Sequence, residues 1–303
     1  MTARNRVVKG DCLEVLRDMP AASVDLIYVD PPFNTGVARR HARVKTTASA
    51  DGTRTGFAGR RYAVTTGPSR SFADAFDDYT GWLEPRMIEA HRVLAADGSI
   101  YVHLDYREVH YCKVLLDRVF GRQNFINEVI WAYDFGGRGR RRWPAKHDNI
   151  LFYARDAKNY VFNIDDVDRE PYMAPGLVTA EKVARGKLPT DTWWHTIVPT
   201  NGSERTGYPT QKPLGVVSRI VRASSPPGGT VLDFFCGSGT TAVAAHLAGR
   251  RFILVDSSDE AIAVTRRRLD GLAIPYEMGS SPEAPKRAGS SRTQPDNKQH
   301  QQG

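Results

Sequence analysis

Four consecutive residues, Asp30, Pro31, Pro32 and Phe33, follow the apolar run Val24-Asp25-Leu26-Ile27-Tyr28-Val29. The two prolines restrict φ and bias the residues before them to extended geometry, which holds the Asp30 carboxylate and the Pro31 carbonyl in fixed directions. Both are acceptors, and two rigid acceptors suit an aromatic amino group. Such a nitrogen offers two N–H donors but a lone pair delocalised into its ring. Acceptors on both hydrogens hold it in place and stabilise the positive charge that builds as it attacks an electrophile. Asp30 is then placed to take up the proton, and Phe33 offers a flat face for stacking a heterocycle. A Pro-Pro turn after a strand has a purely structural reading about as often, so the motif needs company.

That company lies about two hundred residues later. Val231-Leu232-Asp233-Phe234-Phe235 runs into Cys236-Gly237-Ser238-Gly239-Thr240-Thr241-Ala242, and Asp256 stands nineteen residues beyond Gly237. Strand, glycine turn, helix start and a carboxylate at the end of the next strand are the order in which a nucleoside is held, the carboxylate accepting from the ribose hydroxyls. The segment also satisfies G-x-G-x-x-A, which admits a nicotinamide dinucleotide. Only one further strand and helix follow it, too little for the second half of a dinucleotide fold, so a cofactor with a single nucleoside fits better.

Charge supplies a third indication. The chain has 303 residues and a net charge of +8. Between Gly36 and Ser71 eight basic residues, Arg39 and Arg40 among them, face the single acid Asp51, a net of +7. Asp134 to His147 carries Arg138, Arg140, Arg141, Arg142 and Lys146 against Asp134, a net of +4. Two basic arms on a slightly acidic body point to a polyphosphate partner; solvated basic loops are the alternative. Cys12, Cys112 and Cys236 are widely spaced, which suggests neither a disulfide framework nor a metal site. No apolar stretch reaches eighteen residues and the amino terminus lacks a secretory core, so a cytoplasmic protein without membrane contact is expected.

The elements that must position these residues alternate. Arg6 to Lys9 reads as a strand, Cys12 to Met19 as a helix and Val24 to Val29 as a buried strand, which predicts a parallel sheet. Asn34 to Ser71 lacks apolar periodicity and reads as a long mobile loop. A helix over Tyr79 to Leu94, a turn at Asp97-Gly98, a strand Ser99 to Leu104, a helix Arg107 to Phe120 and apolar runs at Glu128 to Ala132 and Asn149 to Tyr153 continue the rhythm. Residues 156–208 lose it and read as a small insertion. Lys212 to Ser224 (helix), Val231 to Phe235 (strand), Thr240 to Leu247 (helix), Arg251 to Val255 (strand) and Asp259 to Leu269 (helix) restore it. Residues 280–303 read as a disordered tail. His103 and Asp105 share a strand and could line a site or serve the sheet; Trp193, Trp194 and His195 fit a small core better than a contact with DNA.

Gly10-Asp11-Cys12-Leu13, Asp30-Pro31-Pro32-Phe33, Tyr101-Val102-His103-Leu104-Asp105, Thr210-Gln211-Lys212-Pro213, Gly237-Ser238-Gly239 and Asp256 together resemble the permuted, β-class amino-methyltransferases of DNA. The resemblance spans most of the chain. It implies an α/β, Rossmann-like methyltransferase fold with a mostly parallel sheet, helices on both faces and a circularly permuted motif order. It implies S-adenosylmethionine as cofactor and double-stranded DNA as substrate, with the target base swung out of the helix. Asp30 to Phe33 would grip that base. Asp11, Cys12, Asp30, Lys212, Phe235, Gly237, Gly239, Thr240 and Asp256 would border the cofactor, and Arg39, Arg40, Arg138, Arg140, Arg141 and Arg142 the DNA. Residues 1–155 would be the catalytic half, 156–208 the target-recognition region and 209–279 the cofactor half. Asp at the head of the catalytic motif resembles the adenine-N6 enzymes; cytosine-N4 enzymes more often carry Ser. Relatives of this kind are often homodimers, and a cognate restriction endonuclease is a partner the resemblance leaves open. A non-catalytic DNA-binding protein with this fold, and a methyltransferase of RNA or protein, are the rival readings.

Overall fold

A computed structural model describes residues 5–36, 39–48, 51, 54–55, 61–72, 74–137, 139–199 and 201–280. The strands in chain order are β1 (Arg6–Lys9), β2 (Val24–Val29), β3 (Arg39–Ala48), β4 (Arg54–Thr55), β5 (Arg61–Phe72), β6 (Leu94–Leu104), β7 (Phe125–Ala132), β8 (His147–Ala154), β9 (Thr192–Trp194), β10 (Thr230–Asp233), β11 (Arg251–Asp256) and β12 (Glu277–Ser280). The helices are α1 (Cys12–Asp18), α2 (Tyr79–Val93), α3 (Val109–Leu116), α4 (Ala180–Arg185), α5 (Leu214–Ser224), α6 (Thr240–Leu247) and α7 (Asp259–Gly271). Nine strands form one sheet in the order β12-β1-β11-β10-β2-β6-β8-β7-β9. Every neighbouring pair is parallel except those made by β8, which runs against both β6 and β7.

Alternation along the strands builds two cores. Val8, Ile27, Val29, Ile100, Val102, Leu232, Phe234 and Val255 face α1, α2 and α3. Val7, Leu26, Tyr28, Tyr101, Val231, Phe252 and Leu254 face α5, α6 and α7. Strands buried on both faces read as continuous apolar runs, which is why β2 and β10 are the plainest elements in the sequence. Leu94 to Leu104 is a single strand: the register with β2 shifts between Val24 and Leu26, so the Asp97-Gly98 turn becomes an irregularity within β6.

The loop expected over residues 34–71 is a correction. β3, β4 and β5 form an antiparallel three-stranded sheet of their own, in the order β3-β5-β4. Val44, Thr46, Thr47, Val64, Thr65 and Thr66 supply β-branched propensity without an apolar face, so periodicity was the wrong signal to read. Asp74 ties the base of this hairpin. Its carboxylate accepts from Asn34 N (2.8 Å) and Thr35 Oγ1 (2.5 Å), and its carbonyl accepts from Gly36 N (2.9 Å).

Within 156–208, β9 extends the main sheet beside β7, and Trp193 joins the core under α5. The short helix α4 buries no side chain. β12, a four-residue strand beside β1, takes in Ser280; the rest of the expected disordered tail lies outside the described residues.

Candidate active site

β10 pairs with β2 in parallel, Val231 opposite Leu26 and Leu232 opposite Ile27. From β10 the chain crosses through α6 to β11 on one side, while β2 leads through α2 to β6 on the other. The carboxyl ends of β10 and β2 therefore flank a topological switch point, where open α/β sheets bind ligands. The Asp-Pro-Pro-Phe turn and the glycine turn, two hundred residues apart in sequence, become neighbours there. A cleft of about 420 Å³ joins them, lined by Asp30, Pro31, Pro32 and Phe33 on one side and Phe235, Gly237, Thr240 and Asp256 on the other.

Asp30 is the focus. Its Oδ2 accepts an ion-paired hydrogen bond from Lys212 Nζ, whereas its buried Oδ1 has no hydrogen-bond partner in the protein. Both side chains of the pair are nearly buried, so Lys212 fixes the carboxylate and leaves one aimed acceptor free. Lys212 Nζ also lies 4.8 Å from the centroid of the Phe33 ring. On its other side Phe33 meets the His103 ring at 5.9 Å.

His103 is fully buried and serves the site from behind. Its Nδ1 meets the Tyr28 hydroxyl at 2.9 Å and its Nε2 meets Asp148 Oδ2 at 3.2 Å, while the Tyr133 hydroxyl donates to Asp148 Oδ1 at 3.2 Å. Burial pushes the Asp148 carboxyl up, but the hydrogen bond and charge of His103, with Lys212 and Tyr133, together hold it below the usual carboxylate range. Burial raises the Tyr28 hydroxyl well above its ordinary value, so Tyr28 stays protonated. Asp105 turns to Arg107 instead, with which it forms an ion pair.

The glycine turn is built for close approach. Gly237 has φ +48° and donates its N–H to Asp256 Oδ2 (2.9 Å). Gly239, the left-handed N-cap of α6 with φ +73°, leaves no room for a Cβ, which would sit 2.9 Å from Thr265 Cγ2. Asp256 Oδ1 accepts from Ser258 N (2.9 Å), so two backbone amides orient this carboxylate and leave lone pairs for a ligand's hydroxyls. Burial raises its pKa against the pull of those amides. Beneath the turn Asp233 accepts from Thr241 Oγ1 (2.5 Å) and Phe235 N (3.1 Å), and burial pushes its carboxyl up to about 7.

Asp11, Cys12 and Gly239 are not among the residues that line the cleft. Asp11 caps α1 through Leu13 N (2.8 Å) and pairs with Arg86 (3.1 Å), whose Nε donates to Cys12 Sγ (3.2 Å). Burial, opposed by Arg86, pushes the Cys12 thiol up to about 11. Arg86 in turn lies 4.4 Å over Trp82, which stacks toward Phe235 at 5.7 Å and does line the cleft. Trp82, Tyr208, Asp233 and Glu260 are lining residues the sequence did not single out, since each arrives from a different element. Arg140, Arg141 and Arg142 are exposed. Arg39 and Arg40 lie on β3, and Arg138 lies outside the described residues. No cluster of metal-ligating side chains occurs among the described residues, and no described helix is long and apolar enough to cross a membrane.

The family model described as DNA methylase matches residues 24–267. A DNA adenine methyltransferase of Escherichia coli K12, YhdJ, is 31% identical over 274 residues, covering 87% of this chain and 82% of that protein. The type II methyltransferase M.ScaI of Streptomyces caespitosus is 28% identical, covering 87% and 81%. Among solved structures, a putative DNA modification methylase of Thermus thermophilus complexed with S-adenosyl-L-methionine superposes with a TM-score of 0.58 at 19% identity, covering 92% of this chain and 99% of that one. The cytosine-N4-specific PvuII DNA methyltransferase superposes with a TM-score of 0.59 at 17% identity, covering 88% and 87%.

Proposed function

Because the chain belongs to the DNA methylase family, we propose that it transfers a methyl group from S-adenosylmethionine to N6 of adenine in duplex DNA. The observation that carries this reading is the unpartnered, buried Oδ1 of Asp30, beside a stacking ring and in one cleft with a nucleoside-type glycine turn. The residues present fit the cofactor. Gly237 lines the approach, Asp256 offers oriented acceptors, and Phe235 and Trp82 supply an apolar wall. When bound, S-adenosylmethionine supplies a methyl group made electrophilic by its sulfonium.

Asp30 Oδ1 and the Pro31 carbonyl accept the two hydrogens of the adenine amino group and aim its nitrogen across the cleft. As that nitrogen gains positive charge, the Asp30 carboxylate stabilises it and then accepts the proton. Lys212 keeps the carboxylate oriented throughout, and Phe33 stacks the base, which must leave the helix because its amino group is otherwise paired. Adenine is preferred to cytosine on the acidic head of the motif and on the named activity of the Escherichia coli relative. The hairpin β3–β5 and the loop after β7 carry the two basic clusters, for which duplex phosphates are the natural partner. Residues 156–208 are assigned to target recognition.

The test is transfer of labelled methyl to unmethylated duplex DNA, with digestion of the product to nucleosides. Label in N6-methyladenosine, lost in Asp30→Ala with cofactor binding retained, is the expected result. Transfer that survives Asp30→Ala would overturn the catalytic assignment, and label in N4-methylcytosine would change the acceptor.

A further inference from the structure

Resting on the DNA methylation reading, a second feature concerns what happens to the duplex once a base has left it. β7 is antiparallel to β8 and β8 to β6, so β7 runs in the same direction as β6 and β2. The loop after Ala132 therefore leaves the sheet at the edge that carries Asp30. Its neck is closed by Tyr133 N donating to the Lys146 carbonyl (3.0 Å) and Lys146 Nζ donating to the Gly136 carbonyl (2.6 Å). Beyond that neck Arg140, Arg141 and Arg142 are exposed, and Trp143 is 95% exposed. Pro144 biases Trp143 to an extended conformation. The neighbouring strand β9 adds Trp194, in register with Ala132 and 74% exposed.

A bare indole amid cations serves no core. Cations beside a flat apolar ring match a nucleic acid, with its phosphates outside and its bases stacked within. The loop is also joined to the catalytic turn: Tyr133 at its root bonds Asp148, Asp148 bonds His103, and the His103 ring abuts Phe33. We propose that Trp143 enters the duplex at the target step and fills the stack that the swung-out base vacates. Arg140, Arg141 and Arg142 hold the flanking phosphates while the target base reaches Phe33 and Asp30.

The experiment compares wild type, Trp143→Ala and Trp143→Phe on two duplexes bearing the site that the wild type methylates. In one duplex the target base is paired; in the other it faces an abasic position. Filling a vacated stack matters only where a pair must be broken and its gap closed. Trp143→Ala should lose roughly tenfold or more in kcat/KM on the paired duplex, the scale of one base–aromatic stack. It should recover most of that on the abasic duplex, and Trp143→Phe should retain most activity on both. A 2-aminopurine at the target position should brighten with wild type and stay quenched with Trp143→Ala. Cofactor binding by all three proteins reports intact folding. Equal loss on both duplexes, or no loss on either, would overturn the proposal. Failure of the wild type to methylate any DNA would be visible before any variant is compared and would remove the methylation reading itself.

Discussion

Replacing Asp233 with asparagine should abolish a pH dependence of stability that the wild type carries near neutrality. Asp233 ends β10 beneath the glycine turn, almost fully buried, and its carboxyl is pushed up to about 7 by burial, against hydrogen bonds from Thr241 and Phe235. Below about pH 4 the folded and unfolded chains both hold the proton. Between about pH 4 and 7 the unfolded carboxyl ionises while the folded one stays protonated, so the folded state binds more protons and stability falls as pH rises. Above the folded value both are ionised and the full penalty remains. A displacement of about three units at ~1.4 kcal/mol each sets an upper bound of ~4 kcal/mol. Asp233 lines a cleft that water enters, which brings the expectation to about 2–3 kcal/mol. The amide that replaces the carboxyl in Asp233→Asn is never ionised. The difference in unfolding free energy between Asp233→Asn and wild type should therefore rise by that amount from pH 4 to pH 8, in favour of the variant. Urea unfolding at half-unit pH steps measures it. Subtracting the two curves cancels the contributions of Asp105 and Asp256, which burial also raises. Parallel curves across the window would refute the burial argument.

Three further substitutions test the glycine turn and its acidic partner. Gly239→Ala should cost about 2–4 kcal/mol, from left-handed strain and from overlap with Thr265. Adding Thr265→Ala should return part of that loss in thermal unfolding, since it removes the overlap and leaves the strain; strictly additive losses would show that the close contact is not the cause. Asp256→Ala leaves the amides of Gly237 and Ser258 without their acceptor and removes the proposed ribose acceptor, so calorimetric affinity for S-adenosylmethionine should fall about tenfold or more. Unchanged affinity would place the ribose elsewhere.

What could be read in advance divides along a physical line. β2, β10, α6 and β11 are local facts: apolar runs ended by Asp, Pro or Gly, whose conformational limits show in the sequence. The glycine turn and Asp256 are nineteen residues apart and linked by one helix and one strand, so their meeting was legible too. The hairpin β3–β5 was not, because its strands are rich in Thr, Ser and Arg and lack an apolar face to mark a period. Trp193 and Trp194 show how little composition says about direction. Adjacent strand residues point to opposite faces, so one indole is buried and the next exposed, and grouping both as core misjudged the second.

The candidate cleft goes further, since its decisive feature belongs to no single motif. Asp30 and Lys212 are 182 residues apart, and each alone reads as a common polar residue near a turn. Only sheet order brings them together, with β10 slotted beside β2 so that the segment leading into α5 meets the Asp-Pro-Pro-Phe turn. The pairing leaves Asp30 half satisfied. Lys212 takes one oxygen, and the other stays buried and unpaired, a state that costs free energy in the folded protein. Among the described residues Tyr79, Ser99, Asn149, Arg222 and Arg251 also carry a buried side-chain atom without a partner, but only Asp30 sets its free acceptor in the cleft beside a stacking ring and a cationic partner. In the proposed reaction that cost is offset when an amino group donates to Oδ1. On the proposed mechanism an acceptor already held in place stabilises the positive charge as it appears, with no reorganisation left to perform.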